Sequence, residues 1–305
     1  MSRWTQSSIP PQAGRTAVVT GTGGLGLECA LALAGAGARV IIAGRNADKG
    51  QAAVAQVQAR FPAASVRFAS LDLSSLESVA EFGRRLRGSF ASVDLLINNA
   101  AIMAPPQRLL SVDGLELQFA TNYLGHFALT AHLLPLLRRG RDPRVVSVSS
   151  KAASAGAIRF DDLQHERGYR PMKAYGQSKL ACLMFALELQ RRSDAAGWGI
   201  RSIGAHPGIT RTELIPNSAP RLSAAGLARR ALWFLFQPPG QGALPSLFAA
   251  TAKQAEAGGY YGPDRLAETR GHPAEAEVPA AALERHDAER LWHVSEHLAG
   301  VRYAS

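Results

Sequence analysis

Seven short runs of strand-forming residues, most of them β-branched and the last aromatic, recur along the chain, each separated from the next by a longer amphipathic stretch, and this alternation restricts the fold more than any other feature. The runs are TAVVT (16–20), RVIIA (39–43), SVRFA (65–69), VDLLI (93–97), RVVSVS (144–149), GIRSIG (199–204) and GGYYG (258–262). Helical candidates fill the intervals near 24–36, 47–60, 74–87, 113–138, 172–193 and 240–252. Neighbouring parallel strands need a crossover, usually a helix, and continuous Val and Ile runs suit strands buried on both faces. The expectation is an α/β fold: a doubly wound, seven-stranded parallel sheet with helices on both faces.

No Pro, Ser or Gly linker long enough to separate domains interrupts the series, so residues 15–305 read as one domain with an N-terminal arm at 1–14 and a C-terminal helical extension at 263–305. The stretch 211–240, proline-punctuated at both ends and apolar in its middle, breaks the rhythm. Inserted after the sixth strand, it is placed to cover a ligand crevice as a lid; an ordinary packing helix or a subunit contact is the other reading. Its Trp233-Phe234-Leu235-Phe236 cluster suits an apolar substrate pocket, a membrane surface or a partner subunit.

A hydrophobic content of 47% is ample for a sizeable core. The net charge of +10 raises the question of nucleic acid, but the arginines fall in scattered pairs such as Arg84-Arg85 and Arg191-Arg192 near helix ends, where the macrodipole favours them, and nucleic acid is not expected as a partner. No apolar run reaches the ~18 residues of a membrane span and no leader is apparent, which makes a cytoplasmic location the expectation. Cys29 and Cys182 lie inside helical patterns and read as small buried hydrophobes, and no set of His, Cys and carboxylate positions suggests a metal.

The first run leads through TGTGGLG (20–26) into a helical pattern, and a strand, glycines and a helix N-terminus in that order let backbone amides meet a pyrophosphate. This makes the sheet Rossmann-type, with Gly21, Thr22, Gly24, Leu25 and Gly26 as candidate dinucleotide contacts. Arg45 and Asn46 follow the second run, where an acid would bind the ribose hydroxyls of NAD; a guanidinium there suits a 2'-phosphate and favours NADP(H), with NAD(H) as the second option. Asp72, followed by Leu73, is placed either to accept from an adenine amino group or to cap a helix.

These residues resemble the short-chain dehydrogenase/reductase family, single-domain branch, over roughly residues 15–262. INNAA (97–101) is similar to the family's element after the fourth strand, with Ala101 where glycine is usual, and implies Asn99 and Ala100 beside the cofactor. TNYLGHF carries Asn122, VVSVSS ends in Ser150, YGQSK supplies Tyr175 and Lys179, and HPGITRT resembles the element bordering the nicotinamide, with Pro207, Gly208, Ile209 and Thr212. NYLGHFALTAHLLPLL, SKLACLMFALELQRR and LWHVSEH look most like the retinol-dehydrogenase-like group, which acts on lipophilic alcohols and carbonyls. The glycine loop departs from the family pattern TGxxxGxG by one missing residue, a change that Gly23 is expected to absorb through a positive φ.

Tyr175 and Lys179 stand at i and i+4, on one helix face. A phenol, with its ordinary pKa of about 10, becomes usable as a general acid or base where an ammonium and an oxidised nicotinamide favour the phenolate. The resemblance implies hydride delivery from NADPH to a carbonyl carbon, protonation by Tyr175, a hydrogen bond from Ser150 to the developing oxyanion, and Lys179 on the ribose hydroxyls. It further implies Asn122 holding a water, and Ile209 and Thr212 on the carboxamide through amide and hydroxyl. His206, before Pro207, reads as a residue that positions its loop, with contact to substrate as the other reading. The expected substrate is a small to medium, lipophilic alcohol or carbonyl, with self-association as dimer or tetramer through the helices near 113–138 and 172–193. A non-catalytic dinucleotide-binding scaffold or redox sensor is the alternative.

Overall fold

The computed structural model describes residues 3–210 and 237–303. An eight-stranded sheet in the order β3-β2-β1-β4-β5-β6-β7-β8 organises the chain. Its strands are β1 (Thr16–Thr20), β2 (Arg39–Gly44), β3 (Val66–Ser70), β4 (Leu95–Asn98), β5 (Arg144–Val148), β6 (Arg201–Ala205), β7 (Tyr260–Arg265) and β8 (Arg270–Glu275). All pairings are parallel except β7 with β8. The expected seven strands are thus eight: 263–305 opens with the end of β7 and the antiparallel β8 before turning helical. RGHPAE has no β-branched residue and carries Gly and Pro, so its strand state comes from pairing with β7 rather than from propensity.

Side chains alternate across the sheet, and the two faces separate by sequence parity. Val18, Ile41, Leu96 and Val145 face one core, filled by α3 (Leu76–Ser89), α4 (Gly125–Leu137) and α5 (Pro171–Ala196). Ala17, Val19, Val40, Ile42, Leu95 and Ile97 face the other, covered by α1 (Gly24–Gly35), α2 (Ala47–Arg60) and α6 (Leu244–Thr251). Local chemistry sets the helix ends. Asn46 caps α2 through Lys49 N, and Ser75 caps α3 through Ser78 N. Pro171 opens α5, and Gly197, at φ 63°, closes it.

The helix expected over 113–138 is regular only from Gly125, the turn before it, Phe119–Leu124, being a π-helix. The one expected at 240–252 is split into a single turn (Pro239–Gly242) and α6. No helix among the described residues is long and apolar enough to cross a membrane.

Every residue from Ala174 to Gln190 on α5 is buried, because one side meets the sheet and the other meets α7 (Arg285–Ala299). Trp292 on α7 lies 5.0 Å from the Phe127 ring and 4.5 Å from Tyr303, while the Arg192 guanidinium sits 4.4 Å over the indole. Tyr303 donates to the carbonyl of Phe127 at 2.7 Å, and Tyr123 and Ser295 share a bond of 2.7 Å. The helices through which a dimer or tetramer was expected therefore carry the chain's own C-terminal segment on their outer faces. Most of the proposed lid, with Thr212 and the Trp233-Phe236 cluster, lies outside the described residues.

Candidate active site

Strand order reverses at β1 and β4, and a crevice opens beyond the carboxyl ends of these strands. Thr20, the last residue of β1, fastens that edge. Its Oγ1 accepts from Asn99 N at 2.9 Å and Ala100 N at 3.0 Å, and lies 2.9 Å from His126 Nε2. His126 Nδ1 is 2.9 Å from the carbonyl of Asn122, which can only accept, so the proton of the neutral ring is on Nδ1 and Nε2 is the acceptor. Burial pushes the His126 pKa down to about 4, against the bond to Asn122 and with help from nearby Lys179. The Thr20 hydroxyl proton thus goes to Nε2 rather than to the Ile97 carbonyl at 3.3 Å, and both its lone pairs take amides. Neither Thr20 nor His126 was assigned a role from sequence, although both lie inside quoted motifs.

The shortened loop closes differently from expectation. Gly23 is extended at φ −146°, and the left-handed turns fall on Gly21 (φ 103°) and Gly24 (φ 51°). A Cβ on Gly26 would stand 2.6 Å from Gly21 O and 2.8 Å from Asn99 Nδ2, so the loop folds tightly over the helix start. Thr22 packs its methyl over Gly44, which carries the loop to the end of β2, beside exposed Arg45. Asn46 spends its side chain capping α2. Asp72 Oδ1 accepts from Ser74 N and Oγ, and Ser75 rather than Asp72 caps α3; Leu73 is buried in the core.

A cavity of about 520 Å³ joins the expected parts: Gly21, Gly24 and Leu25 from the loop, Asn99 and Ala100 after β4, Ser150, Tyr175 and Lys179, and Pro207, Gly208 and Ile209 after β6. Thr22, Gly26, Arg45, Asn46, Asp72, Leu73 and Asn122 do not line it. Ser150 accepts from Ala152 N at 3.2 Å as the cap of a short turn, leaving its hydroxyl proton free of that bond. Tyr175 is 6% exposed, and Lys179 Nζ, 6.0 Å from its ring centroid, donates to Val148 O at 2.9 Å. Ser149 fixes the same helix turn by donating to Lys179 O at 2.7 Å.

The Asn122 amide accepts from Ile102 N and donates to Ile102 O and to Ser178 Oγ on α5, so it ties the segment after β4 to that helix. One expected role is corrected. The Ile209 amide donates to Thr269 O at 2.8 Å and is not directed to a carboxamide.

That bond belongs to a cluster that sequence reasoning did not find. Glu268 Oε2 lies 3.0 Å from Lys151 Nζ and 3.2 Å from His206 Nε2, and Oε1 accepts from Glu277 N. Burial opposes ionisation of Glu268, but the Glu277 amide, Lys151 and His206 outweigh it and hold the carboxyl below its ordinary range. His206, with no exposed surface, is pushed down by burial against the pull of Glu268 and is neutral at pH 7. Among the signals in the sequence only His206 stood out, and its loop-positioning role agrees with its Nδ1 accepting from Gly208 N at 3.3 Å.

Comparison with known proteins identifies the family. The profile of the short chain dehydrogenase family matches residues 15–222. Mouse polyprenol dehydrogenase is 40% identical over 300 residues, covering 96% of this chain and 86% of the relative. Mouse retinol dehydrogenase 13 is 38% identical, covering 98% and 87%. The crystal structure of an uncharacterised protein from Mycobacterium paratuberculosis superposes with a TM-score of 0.82 at 38% identity, over 100% of both chains. The chain belongs to the short-chain dehydrogenase/reductase family, in its retinol-dehydrogenase-like group, and is an NAD(P)-dependent oxidoreductase that interconverts alcohols and carbonyls.

Proposed function

We propose that the protein is an NADP(H)-dependent enzyme acting on a lipophilic alcohol or its carbonyl, with Tyr175 as general acid and base. The observation that carries this reading is that Ser150, Tyr175 and Lys179 line the same cavity as the glycine loop. The loop suits a dinucleotide: its positive-φ turns at Gly21 and Gly24, and the open cavity that Gly21, Gly23, Gly24 and Leu25 line, let backbone amides at the start of α1 approach a pyrophosphate. Arg45, exposed at the end of β2, would hold the 2'-phosphate, and Lys179 would hold the nicotinamide ribose. When bound, the cofactor supplies or accepts the hydride. In reduction the Tyr175 hydroxyl donates its proton to the substrate oxygen, and Ser150 Oγ donates a hydrogen bond to the same oxygen as charge grows on it.

Met103, Met172, Leu25 and Val148 also line the cavity, so the substrate meets thioethers and alkyl groups around a small polar centre. The relatives' names, polyprenol and retinol dehydrogenase, support a long unsaturated alcohol as the substrate class.

Calorimetric titration with NADPH and NADH tests the cofactor assignment. NADPH is expected to bind more tightly, and Arg45→Ala to remove roughly thirtyfold of NADPH affinity, the worth of about 2 kcal/mol in charge-assisted hydrogen bonds, with NADH unchanged. Equal binding of both cofactors before and after the substitution would refute it. Tyr175→Phe should lower turnover of an isoprenoid aldehyde by about 10²–10⁴-fold with cofactor affinity retained.

A further inference from the structure

The cavity mouth holds a charge that a lipophilic substrate does not need. Lys151 follows Ser150 directly and lines the same cavity, with its side chain 36% exposed. Among the described residues its ion-pair partner is Glu268, at 3.0 Å, and Glu268 reaches it from an unusual backbone. Leu266, Ala267 and Glu268 lie in succession at φ 49°, 50° and 62°, a left-handed run that side chains other than glycine rarely adopt. Thr269 fastens this turn between β7 and β8: its amide donates to Arg265 O and Leu266 O, and its carbonyl takes the Ile209 amide. Such strain persists only where surrounding contacts over-determine it, and here it turns the Glu268 carboxylate back towards β5 and the residue beside Ser150. With His206 neutral, one cation and one anion balance in the cluster.

We propose that Glu268 is a positioning residue for substrate selectivity, acting through Lys151: its carboxylate holds and neutralises the ammonium at the cavity mouth, which keeps the cavity selective for uncharged substrates and against carboxylate-bearing ones. The inference rests on the reading of this cavity as the substrate site, and on nothing about which lipophilic carbonyl is turned over.

Equilibrium binding of decanoate and decanol, followed by calorimetry, tests it without relying on turnover. Glu268→Gln, which keeps the shape of the side chain, is expected to raise decanoate affinity about five- to tenfold, the scale of one partly screened charge, and to leave decanol within about twofold. Lys151→Met added to Glu268→Gln should abolish the gain. Lys151→Gln alone leaves the carboxylate unmatched and should lower the decanoate-to-decanol ratio, which keeps the test alive if Glu268→Gln does not fold. The same order should appear in KM rather than kcat for decanal against its ω-carboxylate counterpart. Equal losses for both ligands in Glu268→Gln, a gain that survives in the double variant, an unchanged ratio in Lys151→Gln, or no binding of either ligand to the unsubstituted protein would each overturn the proposal. Loss of aldehyde turnover with the binding pattern intact would count against the catalytic reading alone.

Discussion

At the β1–β4 end of the cavity Thr20 satisfies two amides and an imidazole with a single hydroxyl and no formal charge. At the β6–β8 end the wall is drawn together by Lys151 and Glu268 and by backbone bonds through Thr269. The first arrangement is buried and depends on every partner being present; the second is partly open to water and tolerates exchange of its charges. The wall beside the glycine loop is therefore expected to be brittle and the wall beside Lys151 adjustable.

The largest effect that would sharpen this contrast is Thr20→Val. It leaves two amides and the Nε2 of a neutral histidine without their partner in a buried site, and unfolding in urea should show a loss of about 3–5 kcal/mol together with failure to bind NADPH. A stable variant with intact NADPH binding would break the comparison. Gly26→Ala comes next: a methyl 2.6 Å from Gly21 O forces the loop outward, with an expected loss of about 2–3 kcal/mol and at least tenfold weaker NADPH binding.

His126 supplies a pH test of the same wall. Its pKa is about 4 when folded and near 6.5 when unfolded, so the unfolded chain takes a proton that the native one refuses. Its stabilising contribution is complete above about pH 6.5 and is lost as pH falls towards 4, by up to about 3 kcal/mol. His206 shifts in the same direction. Urea unfolding between pH 7.5 and 4.5 should therefore show a steeper decline in the natural protein than in His126→Gln, and parallel curves would remove His126 from the argument. The smallest effect belongs to the second wall: Glu268→Gln should change stability by less than about 1 kcal/mol, and its altered ligand selectivity should shrink in 1 M salt, where the Debye length falls to about 3 Å.

Much of the fold was legible because strand runs alternate with helical stretches, and all seven predicted runs fall on strands that have a parallel neighbour. The stretch SKLACLMFALEL reads in sequence only as part of an amphipathic helix at 172–193, whereas the structure buries it on every side, with LWHVSEH among what covers it. In the site, the groups that share a short motif were legible: the glycines, Asn99, and the Tyr175 and Lys179 pair. The turn at 266–268 was not, because DRLAETR contains no glycine to mark its left-handed residues, and Glu268 meets Lys151 across 117 residues of sequence. The bonds of the Asn122 amide to the backbone of Ile102 were hidden for a similar reason, because irregular backbone leaves no side-chain signature.

In this reading the cavity passes a hydride between cofactor and carbonyl under control of Tyr175. The decisive experiment incubates NADPH with both C4 hydrogens of the nicotinamide replaced by deuterium, an isoprenoid aldehyde and either the natural protein or Tyr175→Phe, and examines the alcohol by mass spectrometry. One deuterium is expected at the alcohol carbon with the natural protein, and a rate lower by at least a hundredfold with Tyr175→Phe. Alcohol formed without deuterium, or labelled equally fast by Tyr175→Phe, would contradict this reading.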